Sequence, residues 1–208
     1  RYEQSFVKKD GSRIWARVSA TANIGPDGTF NGAFSMLTDI TEQKKAENAL
    51  HESKTRFHEL FNNMPAAVAI YHPVDDGRDF IFYDFNQAGE EIDKIRREDV
   101  IGQSILKVFP SVREFGLFDV IQRVFRTGAA EKHPISIYED NRIAGWRDNY
   151  VYRLPSGEVV AIYEDITERK EMENRLADYA KKLLLLTQIN RHDIFNELTA
   201  MHIINDII

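Results

Sequence analysis

The segment INRHDIFNELTAMH, residues 189–202, holds the residues best suited to chemistry. His192 is followed directly by Asp193, and Asn196 and Thr199 come one and two helical turns later. At about 100° per residue, the histidine, the amide and the hydroxyl form one polar stripe that faces away from the apolar side of the helix. A neutral imidazole is a good nucleophile toward phosphorus near pH 7, and a neighbouring carboxylate can hold its second N–H. The pattern predicts a reactive histidine, although the spacing alone also fits an ordinary solvated residue.

A long helix must position this histidine. No glycine or proline occurs after Gly157, so residues 167–208 are compatible with one helix of roughly 60 Å. The apolar residues first follow a heptad spacing that predicts a two-helix coiled coil, at Leu176, Tyr179, Leu183 and Leu186. The spacing then changes to steps of four through Ile194 and Leu198. Such a phase change relaxes a left-handed coiled coil and favours a wider bundle.

An internal repeat precedes this helix. LTDITEQKKAENAL begins at Leu37, and YEDITERKEMENRL begins at Tyr163, 126 residues later. Each copy follows a Pro/Gly turn and an apolar run, which predicts a hairpin that leads into a helix. The acids and hydroxyls at the junctions are good helix N-caps and are predicted to transmit signals, at Asp39, Thr41, Asp165 and Thr167. We expect each junction to join the last strand to the helix without slack.

The chain divides into four predicted segments. Residues 1–41 contain only strands, and residues 42–56 form a helical linker. Residues 57–166 form a complete mixed domain, with helices over 87–98 and 114–127. Residues 167–208 form the coiled-coil linker and the helix that carries the histidine.

Charge and composition exclude several classes of protein. The 208-residue chain has a net charge of −6 and a pI near 5.6, which argues against a general nucleic-acid binder. It has no cysteine, so disulfide scaffolds and thiolate zinc sites are excluded. The run Leu183–Leu186 is too short to span a bilayer, and the sequence predicts no signal peptide. We therefore expect a cytoplasmic segment without membrane contact.

Residues 57–166 resemble a PAS domain. The resemblance is carried by the segments LFNNMPAAVAIY, FNQAGEEI, REDVIGQS, RTGAAE and YRLPSGEVVAIYEDITERK. Residues 1–41 resemble the last three strands of another PAS domain. The resemblance implies an α+β fold, in which a five-stranded antiparallel sheet with flanking helices is followed by a long C-terminal coiled-coil helix.

From about Lys170 the chain resembles the linker and first dimerisation helix of a sensor histidine kinase. The stretch HDIFN, residues 192–196, matches the phosphoacceptor motif of that family, although Glu197 stands where many members have proline. The resemblance implies that His192 accepts the phosphoryl group, and that Asp193 fixes its tautomer and supports the developing imidazolium. It also implies that Asn196 orients a water for dephosphorylation of a partner.

The same resemblance implies a set of partners. We expect a homodimer, a response regulator receiver domain and the ATP-binding domain of a parent kinase. The C-terminal part has no glycine-rich phosphate loop, so ATP and Mg²⁺ are expected in that other domain and no cofactor in this chain. The alternative is a non-enzymatic PAS module that dimerises or binds a ligand in another signalling protein or a transcription regulator, with His192 incidental.

Aromatic residues of the central domain are candidates for a ligand cavity. The predicted ligand-binding residues are Tyr71, Phe85, Phe109, Trp146 and Tyr150, with Phe118 and Tyr152 as further candidates. The alternative is an ordinary aromatic core. Two histidines that precede prolines, His72 and His133, are interpreted as surface turns, and no metal site is predicted.

Overall fold

The computed structural model describes the backbone of residues 1–205 and the side chains of residues 1–187. The chain divides into two units, Arg1–Phe61 and Asn62–Ile208. Between the second and third strands of the larger unit lie short helices of 4–11 residues, whereas its last strand is followed by one helix of 39 residues.

The first unit is a three-stranded antiparallel meander with a helix. Its strands are β1 (Tyr2–Val7), β2 (Arg13–Ile24) and β3 (Phe30–Asp39), in that order across the sheet. Gly11 and Gly28 adopt positive φ values of 84° and 79° in the two connecting turns, a conformation that glycine tolerates best. Helix α1 (Thr41–Asn62) follows β3 after one residue and extends past the predicted linker of 42–56.

The second unit contains a five-stranded antiparallel sheet. Its strands are β4 (Ala67–Val74), β5 (Asp79–Phe85), β6 (Glu131–Glu139), β7 (Ala144–Arg153) and β8 (Val159–Asp165). The order across the sheet is β5-β4-β8-β7-β6, and every neighbouring pair is antiparallel. The predicted α+β fold with a five-stranded antiparallel sheet is therefore confirmed.

Short helices cover one face of this sheet. They are α2 (Gln87–Asp93), α3 (Arg97–Val100), α4 (Ile105–Val108), α5 (Val112–Phe115) and α6 (Leu117–Thr127), and α7 (Thr167–Asn205) follows the last strand. The core lies between the covered face and the helices, and its largest fully buried side chains include Phe80, Phe82 and Phe118. On the opposite face Tyr83, Ile137 and Tyr150 are exposed. An antiparallel sheet commonly buries one face in this way, which fixes which residues of each strand can reach an interior cavity.

Candidate functional site

An interior cavity lies between the sheet and the short helices of the second unit. Its volume is about 40 Å³, which is room for about three or four water molecules at about 10–15 Å³ each. The apolar part of its wall comes from the helical segment, at Ile105, Phe109, Val112, Phe115 and Leu117. The polar part comes from α2 and the sheet, at Tyr71, Asp93, Tyr138, Arg147, Asn149 and Tyr163. The cavity is thus half lined by groups that hydrogen-bond or carry charge.

Two of the five predicted ligand-binding aromatics line this cavity, Tyr71 and Phe109. Phe85 is buried in the core beside Phe82, with 5.8 Å between the ring centroids, and does not reach the cavity. Trp146 and Tyr150 belong to the opposite face of β7, where Tyr150 is 45% exposed. Successive residues of a strand alternate between faces, so the neighbours of these two aromatics point inward instead.

Those inward neighbours, Arg147 and Asn149, were not predicted. Both are almost fully buried, at 3% and 2% exposure. The side-chain nitrogen Nδ2 of Asn149 has no hydrogen-bond partner among the residues that the structure describes. A buried amide without a partner is costly, so this donor is available to a molecule in the cavity. In the sequence, the alternation along RDNYVY indicates a strand, but it does not show which of the two faces is buried until the neighbouring strand is placed.

A buried carboxylate stands opposite Arg147. Asp93 ends α2, is 3% exposed and accepts a hydrogen bond from the hydroxyl of Tyr163. Burial raises the pKa of Asp93 to about 6, and the hydrogen bond and the charge of Arg147 oppose that rise. Burial also raises the pKa of Tyr163 well above its ordinary value. Asp93 therefore changes its charge in a pH range in which ordinary aspartates are fully ionised.

The junction between β8 and α7 is built from hydrogen bonds that end the strand and begin the helix. The carboxylate of Asp165 accepts from the backbone N–H of Thr167 at 2.9 Å and from its hydroxyl at 2.5 Å. The hydroxyl oxygen of Thr167 in turn accepts from the backbone N–H of Trp146 at 2.9 Å. The N–H of Ile166 donates to the carbonyl of Trp146 at 3.0 Å. The first residues of α7 are thereby fixed to β7, a strand that also lines the cavity.

The first unit repeats this junction bond for bond. Asp39 accepts from the N–H and the hydroxyl of Thr41 at 2.9 and 2.5 Å. The N–H of Trp15 donates to the Thr41 hydroxyl at 2.9 Å, and the N–H of Ile40 donates to the Trp15 carbonyl at 2.8 Å. The two tryptophans of the chain occupy the equivalent position in the two copies. The structure thus brings the four predicted junction residues into two equivalent networks.

The two copies differ at one charged position. Arg147 follows its tryptophan on the inner face of the sheet, where the first copy has the buried Ala16. Its guanidinium contacts the Asp165 carboxylate at 2.8 Å and reaches Asp93 at 4.0 Å. A Cβ atom added at Gly145 would lie 2.6 Å from the guanidinium, so the glycine leaves room for this side chain.

The charges at the two junctions differ accordingly. Burial raises the pKa of Asp165, but the hydrogen bonds from Thr167 and the charge of Arg147 outweigh it, so the pKa lies below its ordinary value. The hydroxyl of Thr41 is the main group that lowers the pKa of Asp39. The second junction therefore contains an ion pair that the first does not have at the same place.

The predicted phosphoacceptor residues His192, Asp193 and Asn196 have side chains outside the described residues, so their roles stay predictions. Within the described part of α7, the four residues of the predicted coiled-coil seam are 57–65% exposed, at Leu176, Tyr179, Leu183 and Leu186. Leu184 and Leu185 are also exposed. The seam is thus free to contact another helix, and the coiled coil stays a prediction.

The interpretation of His133 as part of a surface turn is wrong. His133 lies in β6, is 5% exposed and has its Nε2 atom 2.9 Å from the carbonyl oxygen of Phe115. His72 is exposed but belongs to β4 and not to a turn. Among the described residues no cluster of histidine and acidic side chains is arranged to bind a metal ion. Nor does that part of the chain hold a helix with the length and apolarity needed to cross a membrane.

Comparisons with known proteins agree with this architecture. A family model described as PAS domain matches residues 1–42 and 65–168. The chain is similar to sporulation kinase A of Bacillus subtilis (strain 168), with 26% identity over 96% of this chain and 33% of that protein. It is similar to sporulation kinase E of the same organism, with 23% identity over 82% of this chain and 23% of that protein. The chain therefore spans about a third or less of the curated relatives it matches.

One solved structure with a similar backbone is a domain of the sensory box sensor histidine kinase/response regulator from Geobacter sulfurreducens. The TM-score is 0.44 at 15% identity, over 56% of this chain and 96% of that chain. The family model covers most of this chain, in two segments that each end just after one of the equivalent junctions. The chain belongs to the PAS domain family.

Proposed function

We propose that this chain is the sensing and relay module of a two-component histidine kinase. In this proposal the second PAS domain responds to a signal at its cavity and α7 carries the response to His192. The phosphoryl group of His192 then passes to the receiver domain of a response regulator. The similarity to two sporulation kinases supports the class of protein, and the parent protein supplies the ATP-binding domain with its ATP and Mg²⁺.

The observation that carries the proposal is the junction between β8 and α7. Because Asp165 and Thr167 tie the first turn of α7 to β7, a shift of that strand moves the helix with it. Strand β7 also supplies Arg147 and Asn149 to the cavity wall, so one strand contacts both the candidate signal site and the output helix. A flexible loop at this point would absorb such a shift.

The output of the proposal depends on residues near the end of α7. His192 follows Thr167 by 25 residues, which corresponds to about 38 Å along an α-helix. The neutral imidazole would attack the γ-phosphorus of ATP held by the other domain, so that an N–P bond forms while the bond from that phosphorus to the β,γ-bridging oxygen breaks and ADP leaves. The positive charge that develops on the ring would be supported by Asp193. Dimerisation through the exposed seam of α7 would bring two such helices together.

The phosphorylation of His192 is tested by labelling. The purified chain is mixed with the ATP-binding domain of its parent kinase and ATP labelled at the γ-phosphate. We expect a label that is lost in acid and stable in base, as for a phosphoramidate, and that disappears in His192→Gln. The matched control is His51→Gln, which changes an exposed histidine of α1 and should keep the label. A label that persists in His192→Gln would contradict the proposal and favour a module without phosphotransfer.

A further inference from the structure

Arg147 is the one described side chain that contacts both the cavity carboxylate and the carboxylate that caps α7. Its Nη1 atom lies 2.8 Å from Asp165, and its Nη2 atom lies 4.0 Å from Asp93. The Arg147 and Asp93 side chains are each 4% exposed, so water does little to screen that interaction, whereas the 35% exposed carboxylate of Asp165 is partly screened. A single guanidinium thus lies between the sensing end and the output end of the domain.

The comparison between the two copies shows that the junction forms without this arginine. Where the second copy has Gly145 and Arg147, the first has Ile14 and Ala16. The three hydrogen bonds of Thr41 have the same lengths as those of Thr167, and the bond between the isoleucine N–H and the tryptophan carbonyl is 2.8 Å in one copy and 3.0 Å in the other. Capping alone therefore gives no reason to place a buried charge on the inner face of the sheet.

We propose that Arg147 is a positioning residue that couples the charge of Asp93 to the first turn of α7. When a proton neutralises Asp93, the guanidinium interacts with Asp165 alone. When Asp93 is ionised, two carboxylates compete for one cation and the guanidinium is drawn toward the cavity. The inference deepens the proposed signalling role and rests on it for its biological meaning.

The other groups around Asp93 do not replace this competition. The titratable and charged side chains that act on it come from β4, β6, the turn after β6, β7 and β8, namely Tyr71, Tyr138, Asp140, Arg142, Arg147 and Tyr163. Burial raises the pKa of each of these three tyrosines, so all three stay neutral near pH 6. Asp140 and Arg142 form their own ion pair at 3.2 Å and largely cancel one another.

The summed charge of Asp93, Arg147 and Asp165 shows how protonation of Asp93 changes the interactions of the guanidinium. With Asp93 ionised, two carboxylates and one guanidinium carry a net charge of −1; with Asp93 protonated, they are neutral. Burial raises the pKa of Asp93 to about 6, so the change of charge falls within a range that is accessible to experiment. Asp165 has a lowered pKa and keeps its charge throughout that range. A change at the junction near pH 6 therefore reflects the titration of Asp93 and not that of the capping residue Asp165.

The test is an NMR pH titration of the ¹⁵N-labelled 208-residue chain. The reporter is the backbone amide of Thr167, which donates to Asp165, and the internal control is the amide of Thr41 in the copy without the arginine. We expect the Thr167 signal to move along a sigmoidal curve with its midpoint near pH 6, while the Thr41 signal stays in place. This readout does not involve His192, so failure of the relay and failure of the proposed function are distinguishable.

The variant that decides the origin of the titration is Asp93→Asn. The amide oxygen of asparagine still accepts from Tyr163, so the fold is kept while the titrating group is removed. The Thr167 titration should be lost in Asp93→Asn, and it should be lost in Arg147→Met, which keeps the length of the side chain without its charge. A Thr167 curve that is absent from the wild type would overturn the proposal. A curve that is unchanged in Asp93→Asn would overturn it as well, because a group other than Asp93 would then cause the titration.

Discussion

The ion pair between Arg147 and Asp165 leads to a prediction about stability that two substitutions at the same position can test. Asp165→Ala removes both the cap of α7 and the closest partner of the guanidinium. Asp165→Asn removes the charge but keeps an oxygen that caps the helix, because asparagine is as good an N-cap as aspartate. The difference between the two variants therefore separates the cap from the ion pair at one position.

The expected magnitudes follow from the contacts. Loss of a side-chain cap costs about 1 kcal/mol. Removal of one partner of a fully buried ion pair costs about 3–5 kcal/mol, but the Asp165 side chain is 35% exposed and Asp93 remains 4.0 Å from the guanidinium. For loss of this partly exposed ion pair we therefore expect a cost of about 1–2 kcal/mol. Asp165→Ala should thus lower the free energy of unfolding of the second unit by about 2–3 kcal/mol, and Asp165→Asn by about 1–2 kcal/mol.

Urea unfolding followed by tryptophan fluorescence measures these losses. Trp15 and Trp146 lie in different units, so the variants are made in a Trp15→Phe background in which Trp146 reports the second unit alone. With a denaturant slope of about 2 kcal/mol per M, the midpoint should fall by about 1–1.5 M for Asp165→Ala and by about 0.5–1 M for Asp165→Asn. An Asp165→Asn midpoint equal to that of the wild type would refute the reasoning, because the ion pair would then contribute nothing.

Three further predictions concern the dimer, the buried acid and the glycine of the junction. Replacing Leu183 and Leu186, which are 65% and 57% exposed, by glutamate should convert dimers to monomers by light scattering, and a variant that stays dimeric would place the interface elsewhere. Because the pKa of Asp93 is raised to about 6 from 3.8, the folded state binds its proton more tightly than the unfolded state. Its contribution to the free energy of unfolding, about 3 kcal/mol, is fully present below about pH 4 and is lost as the pH rises through about 6. The urea midpoints of the wild type and of Asp93→Asn, plotted against pH, should therefore differ in slope over that window, and parallel plots would contradict the prediction. An added Cβ at Gly145 would lie 2.6 Å from the Thr167 hydroxyl and from the neighbouring guanidinium, so Gly145→Ala should cost about 1–3 kcal/mol in thermal unfolding, and an unchanged Tm would show that the junction yields easily.

The parts of the fold that local sequence determines were predictable. The two junctions follow from short-range capping chemistry, in which Asp165 and Thr167 are two residues apart, and from a repeat that placed both copies in register. The five-stranded sheet was predicted through the resemblance, and the long C-terminal helix was predicted from the absence of glycine and proline. None of these inferences required knowledge of which residues meet across the fold.

The predicted helix over 87–98 shows where local reasoning ends. In the structure α2 stops at Asp93, because Lys94 adopts a left-handed conformation with φ 51° and the next helix begins at Arg97. Few non-glycine residues adopt that conformation, so the sequence gives little indication of it. Because of this break, Asp93 lies at a helix end that faces the sheet, and the longer predicted helix gave no indication that Asp93 lines the cavity.

The polar half of the cavity depends on contacts between residues that are distant in the sequence. Tyr163 and Asp93 are 70 residues apart and meet only when β8 and α2 pack on the same side of the sheet. From the sequence, Trp146 and Tyr150 of β7 are assigned to the cavity. A shift of one residue in the assumed facing of β7 reverses that assignment, because side chains alternate along a strand.

The central claim, that the PAS domain controls phosphorylation of His192 through the junction with α7, is tested most directly by the initial rate of labelling in the parent kinase. The comparison is between Asp165→Ala and Glu168→Ala, since Glu168 belongs to the same first helical turn and its carboxylate forms no hydrogen bond or ion pair among the described residues. The account predicts that Asp165→Ala lowers the rate several-fold, because the first turn of α7 is no longer fixed to β7, while Glu168→Ala keeps it within about twofold of the wild type. Equal rates of His192 labelling in the wild type and Asp165→Ala would contradict the account.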